Sequence, residues 1–219
     1  MHLTQIIDLP SALIVIGGTL AATLLRCGWR DVRVTLRAVA RLMRPGFDME
    51  HVRAELGAQI QEIDRDGLVR AQPHRFDDGE FDEVTDALIR CRSVQVLYDH
   101  HENHRRQRLD RANTAAQVLG QAAELGPVMG LAGTLLSLSS LASGAGPGAS
   151  YASAIGLAVV TTLYGLIIAN LVLTPLAEAV GRRCRIEEQE RQELVDWLAT
   201  AVRRARPTAD ADVPARSAA

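Results

Sequence analysis

The sequence predicts an all-α integral membrane protein with three transmembrane helices, at about 9-27, 126-142 and 151-176, and long cytoplasmic helical extensions. The N-terminus is expected out and the C-terminus in. Two apolar blocks and one charge asymmetry lead there. Leu125 to Ala177 runs 53 residues without a charged side chain. A spanning helix needs about 20 mostly apolar residues, so this stretch holds two spans and a turn. Residues 9 to 25 form a further apolar block between Asp8 and Arg26. Finally, Arg26, Arg30, Arg33, Arg37, Arg41 and Arg44 crowd the exit of the first block, and Arg182, Arg183 and Arg185 follow the last. Basic residues stay on the cytoplasmic side, which fixes the orientation.

The first span opens after eight residues that contain no Lys or Arg, the reverse of a secretory leader, which is basic before its apolar core. Gly17 with Ala21, and Gly18 with Ala22, set small residues four apart, so the span is expected to pack on the hairpin. Residues 1-206 are read as one membrane domain, with 26-125 a cytoplasmic helical insertion and 207-219 a disordered tail. Within the insertion, 29–43 places Val32, Leu36, Val39 and Met43 at helical spacing with Arg opposite, an amphipathic helix at the inner surface. Residues 49–64 form a second helix. From Glu80 to Leu125 there is no Pro and one Gly, so a single continuous helix is expected to run into the second span. Residues 178–204 form another long helix.

The hairpin at 125-177 is apolar but rich in small residues. SGAGPGAS, 143–150, supplies the turn. Gly126, Gly130 and Gly133 on the first helix, and Gly165 and Ala169 on the second, are spaced for close helix packing in lipid. Pro127, Gly130, Thr134 and Ser137 share one face, and Ala158, Thr162, Gly165 and Ala169 another. Two readings stay open. One is tight packing with each hydroxyl bonded back to its own helix; the other is a hydroxyl-lined path beside a partner helix. An intramembrane acid, Lys, Arg or His is the usual mark of an ion pathway, and the hairpin has none. If this chain conducts an ion, the titrating group comes from another polypeptide.

Other chemistries find no support. Net charge is −2, and all 24 basic residues counted as Lys or Arg are Arg, so no nucleic-acid footprint appears. Cys27, Cys91 and Cys184 follow no metal-ligand spacing and are expected as free thiols. HHENH sets His100 and His104 one turn apart, but a metal site needs three or four converging ligands. It is read as a solvated helix face, with no metal. With no phosphate loop, nucleophile elbow or paired carboxylates, neither an enzyme nor a cofactor site is expected.

GPVMGLAGTLLSL (126–138), AVVTTLYGLIIANLVLTP (158–175) and DLPSALIVIGGTLAATL (8–24) together resemble the MotA/TolQ/ExbB proton channel family. The order and spacing of all three spans match. TTLYGLxxANLxxxP and PSxxIVxGGTLxATL point to the branch of flagellar motor stator subunits, MotA. ExbB and TolQ relatives usually carry Glu where Leu157 stands. The resemblance implies a bacterial inner-membrane homopentamer around two copies of a MotB- or ExbD-like partner. That partner's single span carries an Asp through which protons pass while the ring turns. It implies that 125-177 is the pore hairpin and that Thr134 and Thr162 face the Asp. Ser137 and Thr161 join the same ion-pathway set, and Pro127 and Pro175 stand at the cytoplasmic ends of the two pore helices. On packing alone, Pro127 could open its helix and Pro175 kink its own.

Two departures stand out. MotA has a span before the one that PSALIVIGG matches, which points to a misplaced start or a three-span variant. MotA's rotor-facing helix carries an Arg and, eight residues on, a Glu. Here Arg65 is followed by Gln72 and Pro73, leaving Arg65, Arg70 and Glu62 as candidate load contacts. Three functions therefore compete: a proton-driven MotA-type stator, an ExbB/TolQ-type envelope energiser, and a non-conducting scaffold.

Overall fold

The computed structural model describes residues 9–44, 46–66, 78–91, 93–142 and 151–205. Among them all regular structure is helical: α1 (Leu9–Leu42), α2 (Met49–Asp66), α3 (Gly79–Cys91), α4 (Val94–Ala142), α5 (Tyr151–Ile167), a π-helical segment (Ile168–Leu173) and α6 (Thr174–Ala205). Three helical stretches among the described residues are long and apolar enough to cross a membrane: Ser11–Leu42, Val94–Ser139 and Ile155–Arg204. The chain divides into two compact units. The first takes residues 1–45 and 109–184, the second 46–108 and 185–219.

In the first unit, α1 breaks where the sequence places the end of the span. Gly28 adopts φ 81° and ψ 159°, a non-helical conformation that favours glycine, and separates helix 9–27 from helix 29–42. The buried stripe of the span is Ser11, Val15, Thr19 and Thr23. The two Thr hydroxyls donate to the carbonyls of Val15 (2.6 Å) and Thr19 (2.7 Å), so each is satisfied inside its own helix. Of the small residues expected to make the contact, Gly17 and Ala21 are exposed instead. Gly18 does meet the hairpin, because a Cβ there would stand 2.2 Å from Cε of Met129. The exit of α1 is tied to α4 by Cys27 Sγ, 3.0 Å from Gln121 Oε1, and by Arg26, 3.7 Å from Glu124.

Helix 29–42 divides its apolar residues between two sides. Val39, Ala38 and Leu42 pack with Ala112, Ala115, Leu119, Leu173, Leu176, Ala177 and Val180. Leu36 and Met43, expected on that same face, are exposed. Arg183 closes the end of the helix by donating to the carbonyls of Leu42 (3.0 Å) and Arg44 (2.8 Å), which no further turn would satisfy.

The second unit has an apolar core of its own. Val52 and Leu56 of α2, Phe81, Val84 and Leu88 of α3, Leu97 of α4, and Leu194, Val195 and Leu198 of α6 pack together. Two aspartates cap its helices. Asp48 Oδ1 accepts from the His51 N–H and Asp78 Oδ1 from the Glu80 N–H, each at 3.0 Å.

This unit corrects two expectations. The continuous helix from Glu80 does not exist, since α3 ends at Cys91 and α4 begins at Val94 after Ser93, a favoured N-cap residue type. In one straight helix Glu80 and His101 would lie about 30 Å apart. Instead α3 folds back, and His101 Nδ1 lies 3.0 Å from Glu80 Oε1. Nor is HHENH a solvated face throughout. His100 is exposed, but His101 is 2% exposed and His104 Nε2 reaches Glu83 at 2.8 Å. The tail 207-219 and the turn 143–150 lie outside the described residues.

Candidate functional site

The uncharged hairpin pairs α4 with α5 at backbone distance. A Cβ at Gly126 would stand 2.9 Å from the Gly165 carbonyl oxygen and 3.3 Å from the Ala169 Cβ. One at Gly130 would meet the Thr161 oxygen and the Thr162 Cα, both at 3.1 Å, and one at Gly133 the Thr161 Cβ at 3.0 Å. The contact therefore steps down α5 as it steps up α4, so the helices are antiparallel. All five packing residues, Gly126, Gly130, Gly133, Gly165 and Ala169, lie at this seam and are buried. In lipid, where burial of apolar surface drives nothing, such backbone approach replaces the hydrophobic effect.

The hydroxyls follow the same economy. Thr134 Oγ1 donates to the Leu131 carbonyl (2.7 Å), Ser137 to Gly133 (2.9 Å), and Thr161 and Thr162 both to Ala158 (2.9 and 3.2 Å). Their positions differ. Thr161 and Ser137 are buried, Thr161 with its side chain against Gly133, whereas Thr134 and Thr162 are half-buried. A hydroxyl whose proton is spent on its own helix keeps acceptor lone pairs. The half-buried pair can therefore take a hydrogen bond from an acid on another chain.

The two prolines do not behave alike. Pro127 does not open a helix, because α4 continues from Val94 through it. Having no N–H, it leaves the Ala123 carbonyl without its usual helical donor. Pro175 is exposed and is separated from the π-helical segment by one residue, Thr174. A proline ring clashes with the carbonyl four residues back, here Leu171. The segment widens by one residue before the ring, and the Ala169 carbonyl accepts both the N–H and the hydroxyl of Thr174, the latter at 2.9 Å. Thr174 was missed at the sequence level; its place just before the proline was the available signal. Of the candidate load contacts, Arg65 is exposed near the end of α2, Glu62 has only its helical backbone described, and Arg70 lies outside the described residues.

Fold and seam define a helical membrane protein built on a close-packed, uncharged hairpin. Residues 76–193 match the MotA/TolQ/ExbB proton channel family, and the chain belongs to that family. It is 24% identical over 201 residues to Motility protein A of Cereibacter sphaeroides, covering 88% of this chain and 76% of that protein. It is 22% identical over 193 residues to the chemotaxis protein PomA of Vibrio alginolyticus, with the same coverage of 88% and 76%. Among solved structures, its fold is similar to that of C. jejuni MotAB, with TM-score 0.79 and 19% identity over 92% of this chain and 80% of that one. The flagellar MotAB stator complex of Bacillus subtilis gives 0.77 and 20%, over 90% and 79%.

Proposed function

We propose that this chain is the ion-conducting subunit of a MotA-type stator, converting ion-motive force into mechanical work with a MotB-like partner in the bacterial inner membrane. The observation that carries the reading is the hairpin: half-buried Thr134 and Thr162 on a span pair with no carboxylate, Lys, Arg or His of its own. The partner's single span supplies an Asp. Protonated, that Asp donates to Thr134 or Thr162; ionised, it needs the hydroxyl proton, and the Thr side chain turns from its own carbonyl to give it. Five copies form the ring, residues 26–125 and the C-terminus lie in the cytoplasm, and the Arg clusters support that orientation. Curated relatives named for motility and chemotaxis support the flagellar branch.

Gln72 and Pro73, standing where the rotor-facing Glu falls in MotA, favour a second reading: an ExbB/TolQ-type energiser with a different load. Leu157, at the position of the Glu usual in those relatives, opposes it.

The test is ion flux in cells that co-express this chain with its one-span partner, followed through cytoplasmic pH. Flux is expected with the native pair and is expected to fall to background with Thr162→Val or with the partner's Asp changed to Asn. Good expression and complex formation without flux would leave the scaffold standing.

A further inference from the structure

The exposed side of helix 29–42 is not that of a helix facing water. Trp29, Leu36 and Met43 are seven residues apart, so they form one stripe, and they are 65%, 61% and 90% exposed. At 100° per residue, Arg33, Arg37, Arg30 and Arg41 follow along one flank of that stripe, and all four are exposed. Asp31 is the one acid between residues 26 and 44, and it lies on the opposite side, half-buried. The rest of the helix packs inward, with Val39 and Leu42 partly buried against the cluster of Ala115, Leu119 and Val180 and with Arg183 on the terminal carbonyls. The helix is thus held firmly by one face. Its other face offers an aromatic residue, two long aliphatic side chains and a row of guanidiniums, directly after a membrane span.

We propose that helix 29–42 lies in the headgroup layer of the membrane, with Trp29, Leu36 and Met43 inserted and Arg30, Arg33, Arg37 and Arg41 on the phosphates of anionic phospholipids. Trp settles at the membrane–water boundary, where an apolar body and a wet N–H are both accommodated. Guanidiniums pair with phosphate in fork geometry while their stems run along the apolar stripe. Charge complementarity selects this occupant: the stripe and its flank carry four guanidiniums and no acid, which matches a layer of phosphates. The assignment uses the cytoplasmic placement of residues 26–44 and nothing about ion conduction, so its failure is separable from that of the stator reading.

Quenching of Trp29 by brominated lipids tests it. The full chain carries two Trp, and Trp197→Phe leaves Trp29 as the sole reporter. The protein is reconstituted in vesicles of phosphatidylcholine and phosphatidylglycerol in equal amounts, with bromine on one lipid or the other. Quenching by both is expected, with phosphatidylglycerol enriched about threefold around Trp29 and the enrichment shrinking as salt rises. Changing all four Arg to Gln removes the preference and leaves general quenching; changing them to Lys retains it. Equal quenching by the two lipids in the native chain would overturn the anionic selectivity. Absence of quenching by either would show the stripe covered by protein, a second copy included, and would overturn the proposal.

Discussion

The carbonyl oxygen of Gly126 lies 2.5 Å from where a Cβ on Gly165 would stand, so these two glycines set how closely the hairpin helices approach. No side chain can swing away from that collision, because both sides of it are backbone. Gly165→Ala is therefore expected to push α4 and α5 apart. Overpacking of a tight seam costs about 1–3 kcal/mol. Gly120, on the same helix as Gly126, has nothing within 4 Å of its Cβ position. Gly120→Ala is expected to be neutral or to gain up to about 1 kcal/mol from helix propensity. Unfolding of the two variants in detergent, followed side by side, checks the contrast; equal losses would mean that the seam is not the cause.

A second prediction concerns the ionic cluster of the second unit. Arg191 donates to Glu80 (2.8 Å), Asp78 (2.6 Å) and Glu187 (3.0 Å), and its guanidinium lies 4.2 Å from the Phe47 ring centroid. Arg108 bonds Glu80 and Glu188 as well. Removing one member of a buried pair strands the other charge, at a cost of about 3–5 kcal/mol. Arg191→Met should fall at the low end, because Arg108 still serves Glu80. Thermal unfolding of the intact protein measures it, and a variant as stable as the native chain would show that the cluster contributes little.

The same cluster predicts an acid limb. Burial pushes the Glu80 carboxyl up, but the hydrogen bond from His101 and the guanidiniums of Arg108 and Arg191 outweigh it and hold the group below its ordinary 4.5. Asp78 is likewise pushed up by burial, yet Arg191 and the Glu80 N–H keep it below 3.8. A carboxyl lowered in the folded state binds fewer protons there than in the unfolded chain. Its stabilisation is complete above the ordinary pKa and is lost as pH falls through the folded one. Stability should therefore be flat in this respect above about pH 5 and decline below pH 4.5. Glu80→Gln should flatten part of that decline; an unchanged acid limb would assign it to other carboxylates.

Pro175 offers a separation of stability from output. A proline inside a helix costs about 3 kcal/mol relative to alanine, part of which the π-helical segment already relieves. Pro175→Ala is expected to leave stability unchanged or raised, while ion flux falls because α5 loses the widened turn before the ring. Flux and unfolding measured on the same preparation decide it. Native flux in a stabilised variant would reduce Pro175 to a helix-shaping role.

Much of the architecture was legible in the chain because lipid imposes simple rules. A spanning segment must be long, apolar and internally hydrogen-bonded, so α1, α4 and α5 could be placed from hydropathy, and Gly28 ends the first span at its expected limit. The glycines of the seam were legible too, since only small residues permit backbone approach. What the sequence could not decide was which residues distant in the chain would meet. Glu80 and His101 read as parts of one helix until the end of α3 at Cys91 and the new start at Val94 fold α3 back, because so short an interval carries little local signal. Val39 and Leu36 have the same periodicity, yet one packs against a buried cluster and the other faces outward. Sequence determined by itself which apolar stretches are long enough to span a membrane and that they carry no carboxylate, Lys, Arg or His, for charge and length are properties of the chain alone. Which faces are covered, and which arginines pair with which acids, depends on contacts between distant segments. Only the tertiary structure supplied those.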